Sequence, residues 1–596
     1  MRVRGLKVWF PLRRGLAREL LGRASLWVRA VDGISFDIRR GEVFCLVGES
    51  GCGKTTTGKS LLHLADATEG DIFLEMPEQE YARYEELREK AATSAARKEL
   101  DDLRRKYSLT WTEKLPWTPL HLVLLAAFLA LGFAASVFVP AALAGLLQDP
   151  FADQGLVLGL SVVSGLLAGL VAASPPTRPH RRTPVITAVL TLLAFNLIPM
   201  VTAVVFPAAV PEAPGDAVGA LSAIWGESTF AMLLGFVFAP AIAGGVARTL
   251  VAVRQERGGL MGIKMRTLRR RLHLIFQDPY ESLNPKQSVF EIVAEPLTVN
   301  HVSSNPEEIA SLVTRSLEDA GLRPASEFVY RFPHELSGGQ RQRVSIAAAL
   351  ALEPDFIVAD EPVSMLDVSI RTEILRLMMD LRTKRQLTYL FITHDLGLAW
   401  ILADRIAVMY LGKIVEEGSA EQVITRPKHP YTQALISVVP SPDPRHKSSR
   451  TILRGERPDP VDIPTGCRFH PRCPMAFEKC GWNAGEVRET LVTLLPRELP
   501  GRTGEIVVQD PHVVRIQCSG GMEGLEEAVR SLVAGRRDAF LALRGIADVA
   551  ASGAEIVLTL HPWEEPQLAE IEPGNSVACH LVSAPPQQAP PVVATP

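Results

Sequence analysis

The residues best placed to do chemistry are Gly48-Glu49-Ser50-Gly51-Cys52-Gly53-Lys54-Thr55-Thr56. The apolar run Val43-Phe44-Cys45-Leu46-Val47 precedes them and reads as a buried strand. A helix-compatible stretch around Leu61 and Leu62 follows. Strand, glycine-rich turn and helix is the setting of a phosphate-binding loop. Gly48, Gly51 and Gly53 let the backbone curl, so that N–H groups along Ser50, Cys52 and the start of the helix at Thr56 point at phosphate oxygens. Lys54 can bridge the β- and γ-phosphates, and the Thr55 hydroxyl can ligate Mg²⁺. Further along, Phe356-Ile357-Val358-Ala359 runs into Asp360-Glu361. Asp360 can share the Mg²⁺ with Thr55, and Glu361 can orient or deprotonate an attacking water. Tyr389-Leu390-Phe391-Ile392-Thr393 ends in His394, and Leu272-His273-Leu274-Ile275-Phe276 ends in Gln277. Both can sense a γ-phosphate. Leu336-Ser337-Gly338-Gly339-Gln340 opens a helix, whose N-terminus suits an anion. Strands that end in polar chemistry are the habit of α/β sheets, whose sites lie at the carboxyl ends of the strands.

These elements sit in a chain of 596 residues, long enough for several domains. A net charge of −3 gives no reason to expect a nucleic-acid partner. Met1 to Ala30 is basic and lacks a continuous apolar core, so no signal peptide is expected. Seven cysteines in so long a chain do not make a secreted disulfide framework and point to a reducing compartment.

The hydrophobic content of 47% is unevenly spread. Residues 1–75 read as short strands around the phosphate loop. Glu78 to Lys106 is dense in Glu, Lys and Arg without Gly or Pro. It predicts a solvated helix, roughly 40 Å long if continuous; a charged, partly disordered linker is the alternative. Four uncharged apolar segments come next, Leu122–Leu147, Gly155–Ser174, Val185–Val210 and about Thr229–Ala247. Each is long enough to cross a hydrocarbon core of about 30 Å. Arg104, Arg105, Lys106 and Lys114 precede them; Arg178, Arg181 and Arg182 lie in the middle loop; Arg248, Arg254 and Arg257 follow. Asp149, Asp153, Glu212 and Asp216 occupy the other two loops. The positive-inside rule then places both ends and the middle loop in the cytoplasm, and an even number of spans returns the chain to the side where it began.

Taken in order, the motifs resemble the ATP-binding subunit of an ABC transporter. Gly48–Thr56 resembles a Walker A loop, Gln277 the Q-loop glutamine, Leu336–Gln340 the LSGGQ signature, Asp360 and Glu361 the Walker B aspartate and catalytic glutamate, Ser364–Asp367 the D-loop, and His394 the switch histidine. Phe276–Pro285, His429–Leu435 and Cys467-Arg468-Phe469-His470-Pro471-Arg472-Cys473-Pro474 resemble the oligopeptide/dipeptide/nickel importer group. The resemblance implies an α/β, ABC-type P-loop ATPase with a RecA-like core plus a helical subdomain. It implies ATP and Mg²⁺ as ligands, with Thr55, Gln277 and Asp360 on the metal. It implies a head-to-tail homo- or heterodimer in which Ser337, Gly338, Gly339 and Gln340 serve the nucleotide of the opposite subunit. It also implies two permease subunits and a substrate-binding protein for uptake of peptides or nickel. The adenine stacks on an upstream aromatic residue in such proteins; Phe10 is the candidate and Trp27 the alternative.

Two departures from the pattern are expected to matter. Residues 76–262 form an all-α, four-helix transmembrane insertion between the ATPase segments 1–75 and 263–440, making the chain a multi-pass protein of the cytoplasmic membrane. Residues 441–584 form a C-terminal extension with a small α/β part between Cys480 and Cys579, and 585–596 form a disordered tail. The resemblance implies a [4Fe–4S] cluster on Cys467, Cys473, Cys480 and Cys579; zinc and plain thiols are the alternatives, and Cys518 can displace Cys579. Two rival readings stay open: a self-contained exporter, and a membrane-anchored ATPase outside transport.

Overall fold

The computed structural model describes residues 1–12, 27–90, 93–110, 268–439, 450–453, 455–519 and 521–583. All four apolar segments, the charged loops between them and the tail beyond 583 lie outside the described residues. Among the described residues no helix is long and apolar enough to cross a membrane. The chain divides into one unit of Met1–Thr112 with Thr267–Pro596, and a second of Glu113–Arg266. Every phosphate-site motif belongs to the first.

The chain opens with antiparallel strands β1 (Arg2–Pro11) and β2 (Trp27–Asp37), passes through β3 (Val43–Val47) and the phosphate loop into a helix (Lys54–Leu61), and returns along β1 as β4 (Glu69–Phe73). After the insertion come β5 (Leu272–Ile275), β6 (Phe356–Asp360), β7 (Thr388–Thr393), β8 (Arg405–Tyr410) and β9 (Lys413–Ser419). Helices Val289–Val299, Pro306–Asp319 and Gly338–Leu350 lie between β5 and β6, and Val368–Arg385 between β6 and β7. Strands β8, β3, β7, β6 and β5 are parallel neighbours in that order.

The apolar runs behave as parallel strands covered on both faces. All five residues of β3 are buried. Val43, Cys45 and Val47 face one core with the helices, while Phe44 and Leu46 face another with the antiparallel sheet and Leu61. The alternation of successive side chains across a strand therefore splits one apolar run between two cores.

The charged stretch after β4 departs from the single helix expected. It forms two helices, Glu78–Glu89 and Ser94–Tyr107, folded against one another. A lone helix would leave Tyr84, Leu87 and Leu100 in water; the hairpin buries them with Phe73 and Met76. Buried Asp71 of β4 fastens it, accepting from the Tyr84 hydroxyl at 2.7 Å, Arg104 Nε at 2.9 Å and Ser108 Oγ at 3.0 Å. The hairpin thus belongs with the ATPase unit, and the second unit begins near residue 113 rather than 76.

The C-terminal region adds a separate antiparallel sheet from β10 (Thr503–Asp510), β11 (Val513–Cys518), β12 (Ile546–Ser552) and β13 (Glu555–Leu560), in the order β10-β11-β13-β12. The chain then returns as β14 (Ala569–Glu572) and β15 (Asn575–Val577). Strand β15 pairs with β9, so the large sheet gains two strands from the end of the chain.

Candidate nucleotide site

The phosphate loop is fixed by what its glycines touch. Gly53 has φ +107°, a left-handed conformation that side chains rarely adopt, and a Cβ there would overlap the carbonyl oxygen of Ala30 in β2. A Cβ on Gly48 would overlap the carbonyl oxygen of Met409 in β8. The Gly412 N–H donates to the Cys52 carbonyl at 2.9 Å. Lys54 is buried, and its Nζ donates to the loop's own carbonyls, Gly48 at 2.7 Å and Glu49 at 3.0 Å. That ammonium lies where a loop of this kind receives phosphate.

Three strand ends bring the remaining groups to this loop. Thr55 Oγ1 donates to Asp360 Oδ1 at 3.0 Å, across 305 residues of sequence. Burial pushes the Asp360 carboxyl up, and the Glu361 charge pushes the same way against the Thr55 hydrogen bond. A divalent cation held by Thr55 and Asp360 would supply positive charge that relieves it. Glu361 has φ +45°. A non-glycine residue held there costs roughly 1–3 kcal/mol, and such strain gathers at functional sites. Its N–H still donates to Ile392 of β7 at 2.9 Å, so the turn aims the side chain without breaking the sheet. Glu361 Oε2 meets Gln277 Nε2 at 3.2 Å and His394 Nδ1 at 3.0 Å. The structure therefore gathers Lys54, Thr55, Gln277, Asp360, Glu361 and His394 at the carboxyl ends of β3, β5, β6 and β7.

The LSGGQ residues do not join that group. Ser337 and Gln340 bond to each other at the start of the helix Gly338–Leu350, each side chain accepting from the other's N–H. A Cβ on Gly339 would press on Ile370, close to the D-loop. Ser364 Oγ donates to the Glu361 carbonyl at 3.0 Å, tying the D-loop to the catalytic strand end. Phe10, at the end of β1 opposite Val28, is 44% exposed. Trp27 lies one step further out, opposite Pro11. Ala30, which touches Gly53, is two residues along β2 from Val28, so Phe10 is the nearer of the two to the phosphate loop along the strand.

The C-terminal cysteines come together in part. Burial pushes Cys467 and Cys480 up to about 12, and Cys579 adds to the rise at both. Burial raises Cys473 too, with Cys467, Cys480 and Cys579 contributing. The backbone joins two of them directly, the Cys467 N–H donating to the Cys480 carbonyl at 2.8 Å. Cys518 stands apart on β11, against the Met522 sulfur at 3.0 Å. Among the described residues no three metal-binding side chains are grouped as ligands. The thiols fit an iron–sulfur cluster by donor type and not by grouping.

Sequence reasoning missed a set of contacts that the C-terminal half makes with the phosphate loop. Arg472 Nη1 and Nη2 donate to the two carboxylate oxygens of Glu49, at 2.8 and 3.2 Å. The Glu49 N–H donates to the Tyr431 hydroxyl at 3.0 Å, and Arg457 donates to the Ser50 carbonyl. Arg472 stands inside the cysteine motif and Tyr431 inside His429–Leu435, but neither motif signals by spacing that it reaches Glu49.

Comparison with known proteins follows the same division. Residues 31–115 and 226–364 match the family described as ABC transporter. Residues 415–480 match the family described as oligopeptide/dipeptide transporter, C-terminal region. The chain is 48% identical over 226 residues to the "Putative peptide import ATP-binding protein" of Brucella ovis, covering 38% of this chain and 70% of that one. It is 47% identical over 215 residues to the dipeptide transport ATP-binding protein DppF of Haemophilus influenzae, covering 36% and 65%. It is 46% identical over 222 residues to the "Putative oligopeptide transport ATP-binding protein YkfD" of Bacillus subtilis, covering 37% and 67%.

Proposed function

Since the chain belongs to the ABC transporter ATP-binding proteins that carry an oligopeptide/dipeptide transporter C-terminal region, we propose that it hydrolyses ATP to drive uptake of peptides. The observation that carries the reading is the meeting of Gln277, His394 and Glu361 on one carboxylate oxygen beside the Thr55–Asp360 pair. Mg-ATP is the substrate. Lys54 would leave the loop carbonyls for the β- and γ-phosphates, and Thr55, Asp360 and Gln277 would hold the metal, which would neutralise phosphate charge. Glu361 accepts a proton from the attacking water. His394, through Nδ1, keeps Glu361 oriented and reports the γ-phosphate.

A second subunit supplies Ser337, Gly338, Gly339 and Gln340 to this nucleotide, which accords with a signature that stands apart from its own phosphate loop. Phe10 stacks the adenine. Two permease subunits and a binding protein complete the importer, in keeping with the names of the relatives. The four apolar segments of residues 122–247 serve as membrane spans and make the chain multi-pass, a reading supported by their uncharged length and by the alternation of charge between them. Cys467, Cys473, Cys480 and Cys579 would hold a [4Fe–4S] cluster, a reading supported by their donor type and by the resemblance of the Cys467–Pro474 run.

The test is reconstitution with two candidate permeases in liposomes. ATP hydrolysis stimulated by a peptide-loaded binding protein, with accumulation of that peptide, is expected. Stoichiometric hydrolysis with no permease in the purified complex, or peptide release from loaded vesicles instead of uptake, counts against the importer and favours the rival readings.

A further inference from the structure

Three consecutive features of the phosphate loop are held by residues far along the chain. The Glu49 N–H is held by Tyr431, the Glu49 carboxylate by Arg472, and the Ser50 carbonyl by Arg457. The grip is built, not incidental. Tyr431 is fully buried and packs against Tyr410 and Phe469 at ring separations of 4.8 and 5.2 Å. Tyr410 and Phe469 meet edge-on at 5.3 Å. Phe469 stands between Cys467 and Arg472, so the aromatic trio fixes the turn that presents Arg472. The Arg472 side chain is 11% exposed, and its fork takes both oxygens of Glu49, which fixes direction as well as distance. Nothing in hydrolysis itself requires Glu49, whose carboxylate is taken up by Arg472 of the C-terminal region.

We propose that Arg472 is a positioning residue for the nucleotide loop. By holding Glu49 against the C-terminal region it keeps the N–H groups of Ser50 to Gly53 aimed at the phosphates, so the cysteine-bearing extension sets the affinity of the ATP site. The inference rests on the reading of that loop as an ATP site. A loop held in its binding conformation loses less freedom when it captures phosphate, and that saving enters the affinity.

The experiment uses the full-length chain with a fluorescent ATP analogue in Mg²⁺, together with steady-state hydrolysis. Arg472→Ala is expected to raise Kd and KM for Mg-ATP about tenfold while kcat changes much less, and Arg472→Lys, with one prong in place of two, to recover part of the loss. Glu49→Ala should reproduce the effect with the extension left intact, and the double variant should lose no more than either single one, since both remove the same contact. This second route also holds if Arg472→Ala does not fold. Wild-type affinity in either folded variant overturns the inference, as does additivity in the double variant, or a fall in kcat at constant Kd. A wild-type chain that does not bind the analogue overturns the ATP-site reading itself.

Discussion

Replacing Glu361 by Gln isolates the proton-accepting role from the geometry that supports it. Glu361 Oε2 sits 3.2 Å from Gln277 Nε2 and 3.0 Å from His394 Nδ1. The amide oxygen of a glutamine accepts from both donors if it takes the Oε2 position, and the amide nitrogen then faces the water. Lys54, Thr55 and Asp360 are untouched, so Mg-ATP affinity should stay within about threefold. General-base catalysis contributes typically 10²–10⁴-fold, or roughly 2.7–5.5 kcal/mol of barrier at 1.36 kcal/mol per decade. Glu361→Gln should therefore bind ATP, lose about that much kcat, and accumulate as an ATP-bound dimer on gel filtration. The left-handed backbone at position 361 is independent of the substitution, so stability should change little. Single-turnover hydrolysis with radiolabelled ATP measures the chemical step directly. Turnover within tenfold of wild type would refute the assignment of Glu361 as the group that activates water, and a parallel loss of binding would refute the claim that the carboxylate's charge acts only in the chemical step.

Three further outcomes are expected. Replacing residues 113–266 with a Gly/Ser link, which keeps the docked hairpin, should preserve ATP binding and release the isolated chain from membranes; Leu109 and Leu268, on either side of the replaced residues, pack on the same core cluster. Sedimentation of wild type and variant decides, and a wild-type chain that is soluble without permeases refutes the anchor. Anaerobically purified protein should be brown, with broad absorbance near roughly 400 nm, and Cys473→Ser should bleach it; iron-free protein containing stoichiometric zinc, or no metal, refutes the cluster. Burial holds the His429 imidazole down to about 3, so it stays neutral in the folded chain while an unfolded histidine takes up a proton below about 6.5. The unfolded state then binds more protons, and stability present above pH 6.5 is lost as pH falls, on the order of 2 kcal/mol by pH 5. His429→Asn, whose side chain can still cap the Tyr431 N–H, should shrink the urea-denaturation difference between pH 7.5 and pH 5 by about that amount, the rest including buried His273, which is held down to about 4; an unchanged difference refutes the attribution.

Much of the catalytic group was legible because each member closes a run with an unambiguous signal. Val43–Val47, Phe356–Ala359 and Tyr389–Thr393 are apolar at every position or nearly so, as strands covered on both faces must be, and the glycine-rich loop after the first and Asp360 and His394 after the others mark the carboxyl edge where ligands bind. The hairpin of Glu78–Tyr107 was not legible in the same way. Its helical tendency is local, but the reversal near Lys90 is decided by burial of Tyr84, Leu87 and Leu100 against Phe73 and Met76, and no pairwise spacing in a charged stretch reports such a partner.

The contact between Arg472 and Glu49 spans 423 residues, and nothing near either residue announces the other. What creates it is the packing of Phe469 on Tyr410 and Tyr431, which holds the turn that carries Arg472 against the phosphate loop. The Ala578 N–H donates to the Val415 carbonyl at 2.9 Å where β15 joins β9, so that pairing fixes where Cys579 stands. The separate sheet of β10 to β13 is inserted between Cys480 and this strand without interrupting the pairing, because strand register, not sequence distance, fixes where Cys579 falls. The strand pairing thus locates the fourth thiol, while the aromatic trio locates the wall that grips Glu49. Weakening the pairing should therefore disturb the cysteine site more than the nucleotide site. Asn575→Ala removes a fully buried side chain from that strand, and a loss of metal-dependent absorbance matched by an equal rise in the Kd for Mg-ATP would show that the two sites are not held independently.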